Sequence, residues 1–302
     1  MKIETTLNSN CDGLPISVAV IAPDTDIKAI VQISHGMSEH KGRYFDFMKF
    51  LADNGYAAVI NDHRGHGKSV RNPDDLGYFY ENRAEYIVED LHQVTEYAKN
   101  LFPDRDVILF GHSMGSMVVR KYIKKYDNEI IKLIVCGSPS KNPLSNAAVF
   151  INKIVKAVKG DHYRSVLVND LTFGNYNKAV KDIFSVNSWI CTNEENVRKY
   201  DNDELCGFIF TTNGFENLFR LMNDIYSKNG WSVNNPELPV LFMAGSDDPV
   251  TLGKKRWLLS QTFLRDRGYK NVSCKYYKGL RHELINEKCN KKIYADILSF
   301  ID

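Results

Sequence analysis

The pentapeptide Gly111-His112-Ser113-Met114-Gly115 places a serine between two glycines, in the pattern G-x-S-x-G. The run 106–110 before it is rich in β-forming residues and predicts one buried strand, and apolar residues at helical spacing after it predict a helix. A strand, a tight turn and a helix form the context of a nucleophile elbow, in which the glycines let neighbouring backbone approach closely. The alternative is an ordinary glycine-rich turn with a hydrogen-bonding serine. The elbow interpretation makes Ser113 a nucleophile.

A serine hydroxyl is a weak nucleophile and needs a base within hydrogen-bond reach, which is itself oriented by a carboxylate. In the elbow fold these residues follow one another in the order serine, acid, histidine. Of the eight histidines, only His162 and His282 come after Ser113. His162 precedes every candidate acid, whereas His282 follows the last predicted strand. The sequence therefore predicts His282 as the base.

The acid should lie on a loop between these two residues, at the same edge of the sheet. The segment 245–250, Gly-Ser-Asp-Asp-Pro-Val, directly follows a predicted strand and offers two carboxylates. We predict Asp248 as the acid, with Asp247 as the alternative. The rival loop at 137–139 reads Gly-Ser-Pro and has no carboxylate.

Two backbone N–H groups should point to where negative charge develops on the substrate carbonyl oxygen. One is expected from Met114, the residue after the nucleophile. The other is expected from the loop after the third strand, where Met37 follows His35-Gly36 and the glycine allows a close approach. An ordinary turn at the end of a strand is the alternative for this dipeptide.

Eight strands are predicted, at residues 2–8, 14–22, 28–34, 56–61, 106–110, 130–136, 239–245 and 271–277. Helical patterns alternate with most of them, which predicts an α/β fold with a mainly parallel sheet and helices on both faces. The alternation stops between residues 140 and 235, where the pattern is helical and rich in aromatic residues. We therefore expect a core of residues 1–139 and 236–302, with a helical cap inserted at 140–235.

The composition excludes several classes of protein. The chain has 302 residues, of which 39 are basic and 37 are acidic, and its formal charge of +2 gives no field for holding nucleic acid. Its six cysteines are scattered, without a C-x-x-C pair for zinc or redox chemistry. No run predicts a signal peptide or a membrane span, and the expected location is the cytoplasm.

The chain resembles the α/β-hydrolase superfamily, and more closely its monoacylglycerol lipase and lysophospholipase branch, which includes sequences labelled serine aminopeptidases. The stretches that carry the resemblance are HGMSEHKGRY at 35–44, DHRGHGKS at 62–69, GHSMG at 111–115, GSDDPV at 245–250 and GLRHE at 279–283. The resemblance implies the α/β-hydrolase fold, and it supports Ser113, Asp248 and His282 as a catalytic triad with Met37 and Met114 as oxyanion donors.

The resemblance also implies roles for other polar residues. Glu39 and Arg43 should lie near the polar headgroup end of the substrate cavity, the alternative being a structural ion pair at the start of a helix. His63 and His66 should be architectural, since no clustered carboxylate or cysteine completes a metal site around them. Neither a metal nor an organic cofactor is expected.

The implied reaction is hydrolysis of a carboxylic ester, with a monoacylglycerol-type or lysophospholipid-type lipid as the small-molecule substrate. The alternative is a serine aminopeptidase or prolyl iminopeptidase acting on short peptides. Such a peptidase would use an acidic cluster in the cap to hold a free amine. The candidates look like a solvated face and are Glu194, Glu195, Asp201, Asp203 and Glu204.

The segment 144–159 predicts an amphipathic cap helix. Its apolar residues are Phe150, Ile151, Ile154, Val155 and Val158, and its basic residues are Lys153, Lys156 and Lys159. Two interpretations are open, that the helix packs on the core or that it makes transient contact with a lipid surface.

Overall fold

The computed structural model describes residues 1–141 and 145–302, and the eight predicted strands form one sheet. The strands are β1 (Lys2–Asn8), β2 (Pro15–Ile21), β3 (Ile30–Ser34), β4 (Ala57–Asn61), β5 (Val107–His112), β6 (Lys132–Cys136), β7 (Val240–Gly245) and β8 (Val272–Tyr277). Their order across the sheet is β1-β2-β4-β3-β5-β6-β7-β8. Strand β2 runs antiparallel to both of its neighbours and every other pairing is parallel, which confirms the mainly parallel sheet.

Helices follow most of the strands. They are α1 (Phe45–Asp53), α2 (Tyr86–Leu101), α3 (Met114–Tyr126), α4 (Ser145–Lys159), α5 (Val166–Phe173), α6 (Glu194–Asp201), α7 (Thr212–Ile225), α8 (Lys254–Arg267) and α9 (Asn290–Ile301). Residue Leu144, the first of the predicted cap helix, lies outside the described residues. Among the described helices, none combines the length and the apolar character needed to cross a bilayer.

The sheet is covered on both faces because successive side chains of a strand point in opposite directions. In β5, Val107 and Leu109 belong to an apolar cluster that includes buried residues of α2, α3 and α8. Ile108 and Phe110 belong to a second cluster, with buried residues of α1 and α9. A strand that is buried on both faces reads as a continuous apolar run, which is why β5 could be recognised from sequence.

The chain leaves the sheet between β6 and β7 and forms α4 to α7. Buried Phe215 and Leu218 of α7 share an apolar cluster with Met117 of α3, so this insertion packs on the core. Among its described residues, the only β-type pairing is an isolated bridge between Arg164 and Thr211. The insertion therefore lies over the helix that follows β5.

Candidate active site

The turn between β5 and α3 holds Ser113 in a strained conformation. Its φ of 53° and ψ of −118° lie where non-glycine residues are rare, and such a conformation costs about 1–3 kcal/mol. Three hydrogen bonds hold it: the Ser113 N–H donates to Cys136 O (3.0 Å), and Ser116 donates to Ser113 O from both its N–H (3.0 Å) and its Oγ (2.5 Å). The contribution of Ser116 was not foreseen from the sequence.

At both glycines that flank the serine, there is no space for a side chain. A Cβ at Gly115 would lie 2.0 Å from the carbonyl oxygen of Ser34, and one at Gly111 would lie 2.6 Å from the carbonyl oxygen of Gly115. Real Cβ atoms do not approach backbone this closely. The spacing G-x-S-x-G therefore reflects how tightly α3 packs on the ends of β3 and β5.

His282 and Asp248 meet at the edge of the sheet where β7 and β8 end. The His282 Nδ1–H donates to Asp248 Oδ2 at 3.0 Å, and both side chains are buried. The second carboxylate oxygen of Asp248 accepts from the Val250 N–H at 2.9 Å. Asp247 is exposed and its carboxylate accepts from the Ser246 hydroxyl at 2.7 Å. The structure thus brings His282 to Asp248 and not to Asp247.

Ser113 and His282 line the same cavity. Among the hydrogen bonds of residues 1–141 and 145–302, none joins Ser113 Oγ to the His282 ring. Catalytic hydrogen bonds are often long without substrate and tighten when it binds. Ser113 and His282 therefore share one cavity, and the contact of His282 with the buried Asp248 is already formed.

Gly137, at the end of β6, packs against the His282 ring. A Cβ there would lie 3.1 Å from His282 Cε1 and 3.2 Å from Nδ1, and the φ of +57° favours glycine. Sequence reasoning gave this residue no role. Its position directly after a buried strand was the available signal, because loops at the carboxyl ends of parallel strands surround the site.

The predicted oxyanion donors also lie at the cavity, since Met37 and Met114 are both lining residues. In the described part of the chain, neither of their N–H groups donates a hydrogen bond to a protein acceptor. Met114 is the first residue of α3, where the helix dipole favours negative charge. The neighbouring Gly36 N–H donates to Glu39 Oε1 at 2.5 Å, which fixes the loop that carries Met37.

Glu39 and Arg43 belong to a buried network of charges beneath the cavity. The Arg43 guanidinium donates to Glu39 Oε2 at 2.7 Å and to both carboxylate oxygens of Glu283 at 2.6 and 2.7 Å. The Tyr44 hydroxyl donates to Glu39 Oε1 at 2.9 Å. Both oxygens of Glu39 are therefore engaged. Glu39 lines the cavity, whereas the described lining does not include Arg43.

The structural ion pair that was the alternative for Glu39 and Arg43 is thus present, and contact of either residue with a headgroup stays a prediction. Sequence reasoning did not find the third member, Glu283, although it directly follows the predicted catalytic histidine. Its partner Arg43 lies 240 residues away along the chain.

His112, the second residue of the elbow, joins this network. Burial would lower its pKa, but the hydrogen bond to Glu39 and the charge of that carboxylate outweigh burial and raise it. Burial would likewise raise the pKa of Glu39, yet the hydrogen bond with His112 and the Arg43 cation hold it well below its usual range. His112 Nε2 lies 3.4 Å from the carbonyl oxygen of His282. The network thus reaches the backbone of the histidine loop.

The cavity over Ser113 has a volume of about 570 Å³. Most of its lining is apolar, and the insertion contributes Leu171, Phe173, Trp189, Phe208, Leu218, Phe219 and Met222. The Trp189 ring lies 5.2 Å from the His282 ring, measured between centroids. Such a space suits an apolar chain attached to a group that reacts at Ser113.

The histidines of the loop after β4 are buried and neutral. His63 Nε2 lies 2.9 Å from Ser34 Oγ, and His66 donates from Nδ1 to the Arg64 carbonyl oxygen at 3.0 Å. Burial lowers the pKa of His66 to about 3 and that of His63 well below the usual range. Their contacts support the architectural role predicted for them.

The acidic residues considered for binding a peptide amine lie elsewhere. Glu194 and Glu195 form exposed ion pairs with Arg198 and Lys199 on the surface of α6. Within the described lining of the cavity, none of the five candidates is present.

Comparison with known proteins finds hydrolases. Residues 25–289 match the family described as "Serine aminopeptidase, S33". The chain is 26% identical over 289 residues to the monoacylglycerol lipase of Mycolicibacterium smegmatis, covering 96% of this chain and 93% of that protein. It is 23% identical to the phospholipase YtpA of Bacillus subtilis, covering 91% and 95% of the two chains.

Among solved structures, a thermostable carboxyl esterase from Bacillus coagulans in complex with glycerol superimposes with a TM-score of 0.91 at 23% identity, covering 99% of this chain and 97% of that one. At this identity the likeness concerns the fold, which is that of an α/β-hydrolase. Since the family match spans most of the sequence, the chain belongs to the serine aminopeptidase S33 family of α/β-hydrolases.

Proposed function

We propose that this protein is a serine hydrolase that cleaves carboxylic esters of the monoacylglycerol or lysophospholipid type through an acyl-enzyme. The observation that carries the proposal is that Ser113 and His282 line one apolar cavity, with His282 hydrogen-bonded to the buried Asp248. The names of the relatives support the substrate class, because they include a monoacylglycerol lipase and a phospholipase.

In the proposed reaction Ser113 Oγ attacks the ester carbonyl while His282 Nε2 takes the hydroxyl proton. The N–H groups of Met37 and Met114 stabilise the oxyanion of the tetrahedral intermediate. His282 then gives its proton to the leaving alcohol, and Ser113 keeps the acyl group. Water, deprotonated by His282, attacks the acyl-enzyme. As the bond between the acyl group and Ser113 Oγ breaks, His282 returns the proton to Oγ and the fatty acid leaves. Asp248 holds the imidazole with its proton on Nδ1 and stabilises the charged ring.

We assign residues 140–235 the role of a cap that encloses the acyl chain. The aromatic and aliphatic side chains that the insertion contributes to the cavity support this role. The exposed apolar residues of α4 support a further proposal, transient contact of the cap with a lipid surface, from which substrate would enter.

A fluorophosphonate probe tests the nucleophile directly. We expect it to label the unmodified protein once, at Ser113, and Ser113→Ala should abolish labelling and lower ester turnover by on the order of 10⁶. Ser140→Ala is the matched control, because this serine is buried and lines the same cavity. Persistent labelling of Ser113→Ala, or loss of labelling in Ser140→Ala alone, would contradict the proposal.

A peptidase with the same triad is the second candidate, favoured by the description of the family. Parallel assays on monoacylglycerols, lysophospholipids, p-nitrophenyl esters of graded chain length and aminoacyl amides separate the two. We expect turnover of the lipid esters and none of the amides. The five acidic candidates of the insertion lie outside the described cavity lining, and the lining carboxylates of Glu39 and Glu283 are paired with Arg43. Turnover of the amides alone would overturn the esterase proposal.

A further inference from the structure

Three metal-ligating side chains meet where the insertion contacts the core. His40 lies in the loop after β3, whereas Asp203 and Cys206 follow α6 in the insertion. One ligand atom of each lies within 4.8 Å of the other two, and His40 Nε2 lies 2.9 Å from Asp203 Oδ2. The proposed reaction uses none of these three residues.

A turn brings the carboxylate and the thiol to the same side of the chain. The Cys206 N–H donates to the carbonyl oxygen of Asp203 at 2.9 Å, and Asp203 Oδ1 accepts from the Leu205 N–H at 2.9 Å. This leaves Asp203 Oδ2 directed at His40. The three groups are thus held by backbone contacts rather than by their mutual attraction alone.

The charges around the cluster suit a divalent cation. The Asp203 carboxylate and the Cys206 thiol are the two groups of the cluster that can carry negative charge. The nearby Arg43 is neutralised by Glu39 and Glu283. A cation of charge +2 would be balanced by one thiolate and one carboxylate.

We propose that His40, Asp203 and Cys206 form a binding site for a thiophilic divalent cation, with Zn²⁺ as the best match. Zinc takes sulfur, imidazole nitrogen and carboxylate oxygen ligands in tetrahedral geometry, and water fills the fourth position. The site joins the insertion to the loop that carries Met37.

Binding forms three bonds to the cation and releases one proton. The Cys206 thiol loses its proton to solvent and the thiolate sulfur binds the metal. The proton on His40 Nε2 moves to Nδ1, so that Nε2 can bind. That shift gives up the long hydrogen bond, 3.2 Å, which Nδ1 accepts from the Gly42 N–H. Asp203 is already ionised and releases nothing.

Around the site, hydrogen bonds already join the loop after β3 to the insertion. The Gly207 N–H and the Tyr200 hydroxyl donate to the carbonyl oxygen of Ser38 at 2.9 and 3.0 Å. The Ser38 hydroxyl donates to the carbonyl oxygen of Phe208 at 2.7 Å. A cation at the site would replace the direct contact between His40 and Asp203 with three bonds to one ion, and binding would stabilise the folded chain.

A second group of side chains that could hold a metal ion allows a comparison with the His40 cluster. It consists of His92, Glu96 and Glu129. Lys99 Nζ already lies 3.0 Å from a Glu129 carboxylate oxygen and 3.3 Å from a Glu96 oxygen. The group also lacks a thiol. Among the described residues, the His40 cluster is therefore the better zinc site.

Titration of the metal-free full chain with Co²⁺ tests the proposal at mildly alkaline pH under reducing conditions. We expect a thiolate-to-cobalt charge-transfer band that saturates at one ion per chain. Zn²⁺ should displace the cobalt, and zinc binding should release one proton and raise the Tm. Cys206→Ser should remove the band, whereas Cys274→Ser, which changes an exposed cysteine, and Glu129→Gln should retain it.

His40→Gln and Asp203→Asn keep the thiol and test the other two ligands. Loss of a residue that only supports a metal ligand typically weakens metal binding about 10–100-fold. Each of these variants removes a direct ligand, so each should weaken zinc binding by at least about that much. The absence of a charge-transfer band at millimolar Co²⁺ would overturn the proposal. So would a band retained by Cys206→Ser, or unchanged zinc affinity in both His40→Gln and Asp203→Asn. None of these readouts depends on ester turnover.

Discussion

Two adjacent aspartates after β7 differ in what surrounds them, and this difference decides which of them can serve catalysis. Asp248 is 3% exposed and its carboxylate receives hydrogen bonds from His282 and the Val250 N–H. Asp247 points to solvent. A carboxylate at position 248 fixes the proton of the His282 ring on Nδ1, which leaves Nε2 free to accept the serine proton.

Asp248→Asn should therefore lower turnover by about 10⁴-fold, as in other triads, because an amide favours the wrong imidazole tautomer. Asp247→Asn is the matched control and should leave turnover close to that of the unmodified protein. Steady-state kinetics on a soluble p-nitrophenyl ester measure both, with thermal unfolding to verify the fold. Equal losses of turnover in the two folded variants would contradict the choice of Asp248 over Asp247.

Helix α4 has apolar side chains on the side that packs on the core and also on a side that is exposed to solvent. Ile151 and Val155 pack against the main core cluster, so one side of the helix packs on the core. Phe150, Ile154 and Val158 recur every four residues on the outer side and are 65%, 50% and 73% exposed. The two interpretations of this segment therefore describe different faces of one helix.

The double change Phe150→Ser and Ile154→Ser should weaken binding to lipid vesicles by about 100-fold or more, since burying each side chain contributes about 1.5–3 kcal/mol. Vesicle sedimentation measures it. Leu259→Ser in α8 is the control, because that residue is equally exposed at 59% and lies outside the insertion. Turnover of a soluble short-chain ester should not change. Unmodified protein that does not sediment with vesicles would dismiss the lipid-surface proposal.

The stability of the whole molecule should depend on pH through its buried histidines. Burial lowers the pKa of His35, His63 and His66 in the folded chain. On acidification below about pH 6.5 the unfolded chain takes up protons that the folded chain cannot, so stability falls. His112 acts in the opposite sense, because its raised pKa contributes stability at low pH that is lost as pH rises through the folded value.

His66 alone, with a folded pKa of about 3, should account for about 2 kcal/mol of the stability lost between about pH 7 and about pH 5. In His66→Asn, where an amide can still donate to the Arg64 carbonyl, that part of the loss should disappear. Urea unfolding at the two pH values measures it. His162→Asn is the control, since the His162 side chain is 64% exposed. The same pH dependence in both variants would refute the assignment.

The sequence by itself determined the features that short stretches of chain encode. Buried strands such as β5 show as apolar runs, and the glycines around Ser113 mark a turn in which no Cβ fits. Chain order then singled out His282. These predictions needed only local sterics, hydrophobic pattern and the order of elements. The helical insertion was recognisable as a break in the strand–helix alternation, although the faces of its helices were not.

Only the tertiary structure decided how distant groups combine. It directed Asp248 rather than Asp247 to His282, joined Arg43 to Glu283 across 240 residues, set Gly137 against the His282 ring and brought His40 to Asp203. Two adjacent aspartates have the same local preferences, and only the direction in which each side chain points distinguishes them. Ion pairs between remote segments leave no periodic pattern in the sequence. Both are fixed by packing, because burial allows a charge only where a partner meets it.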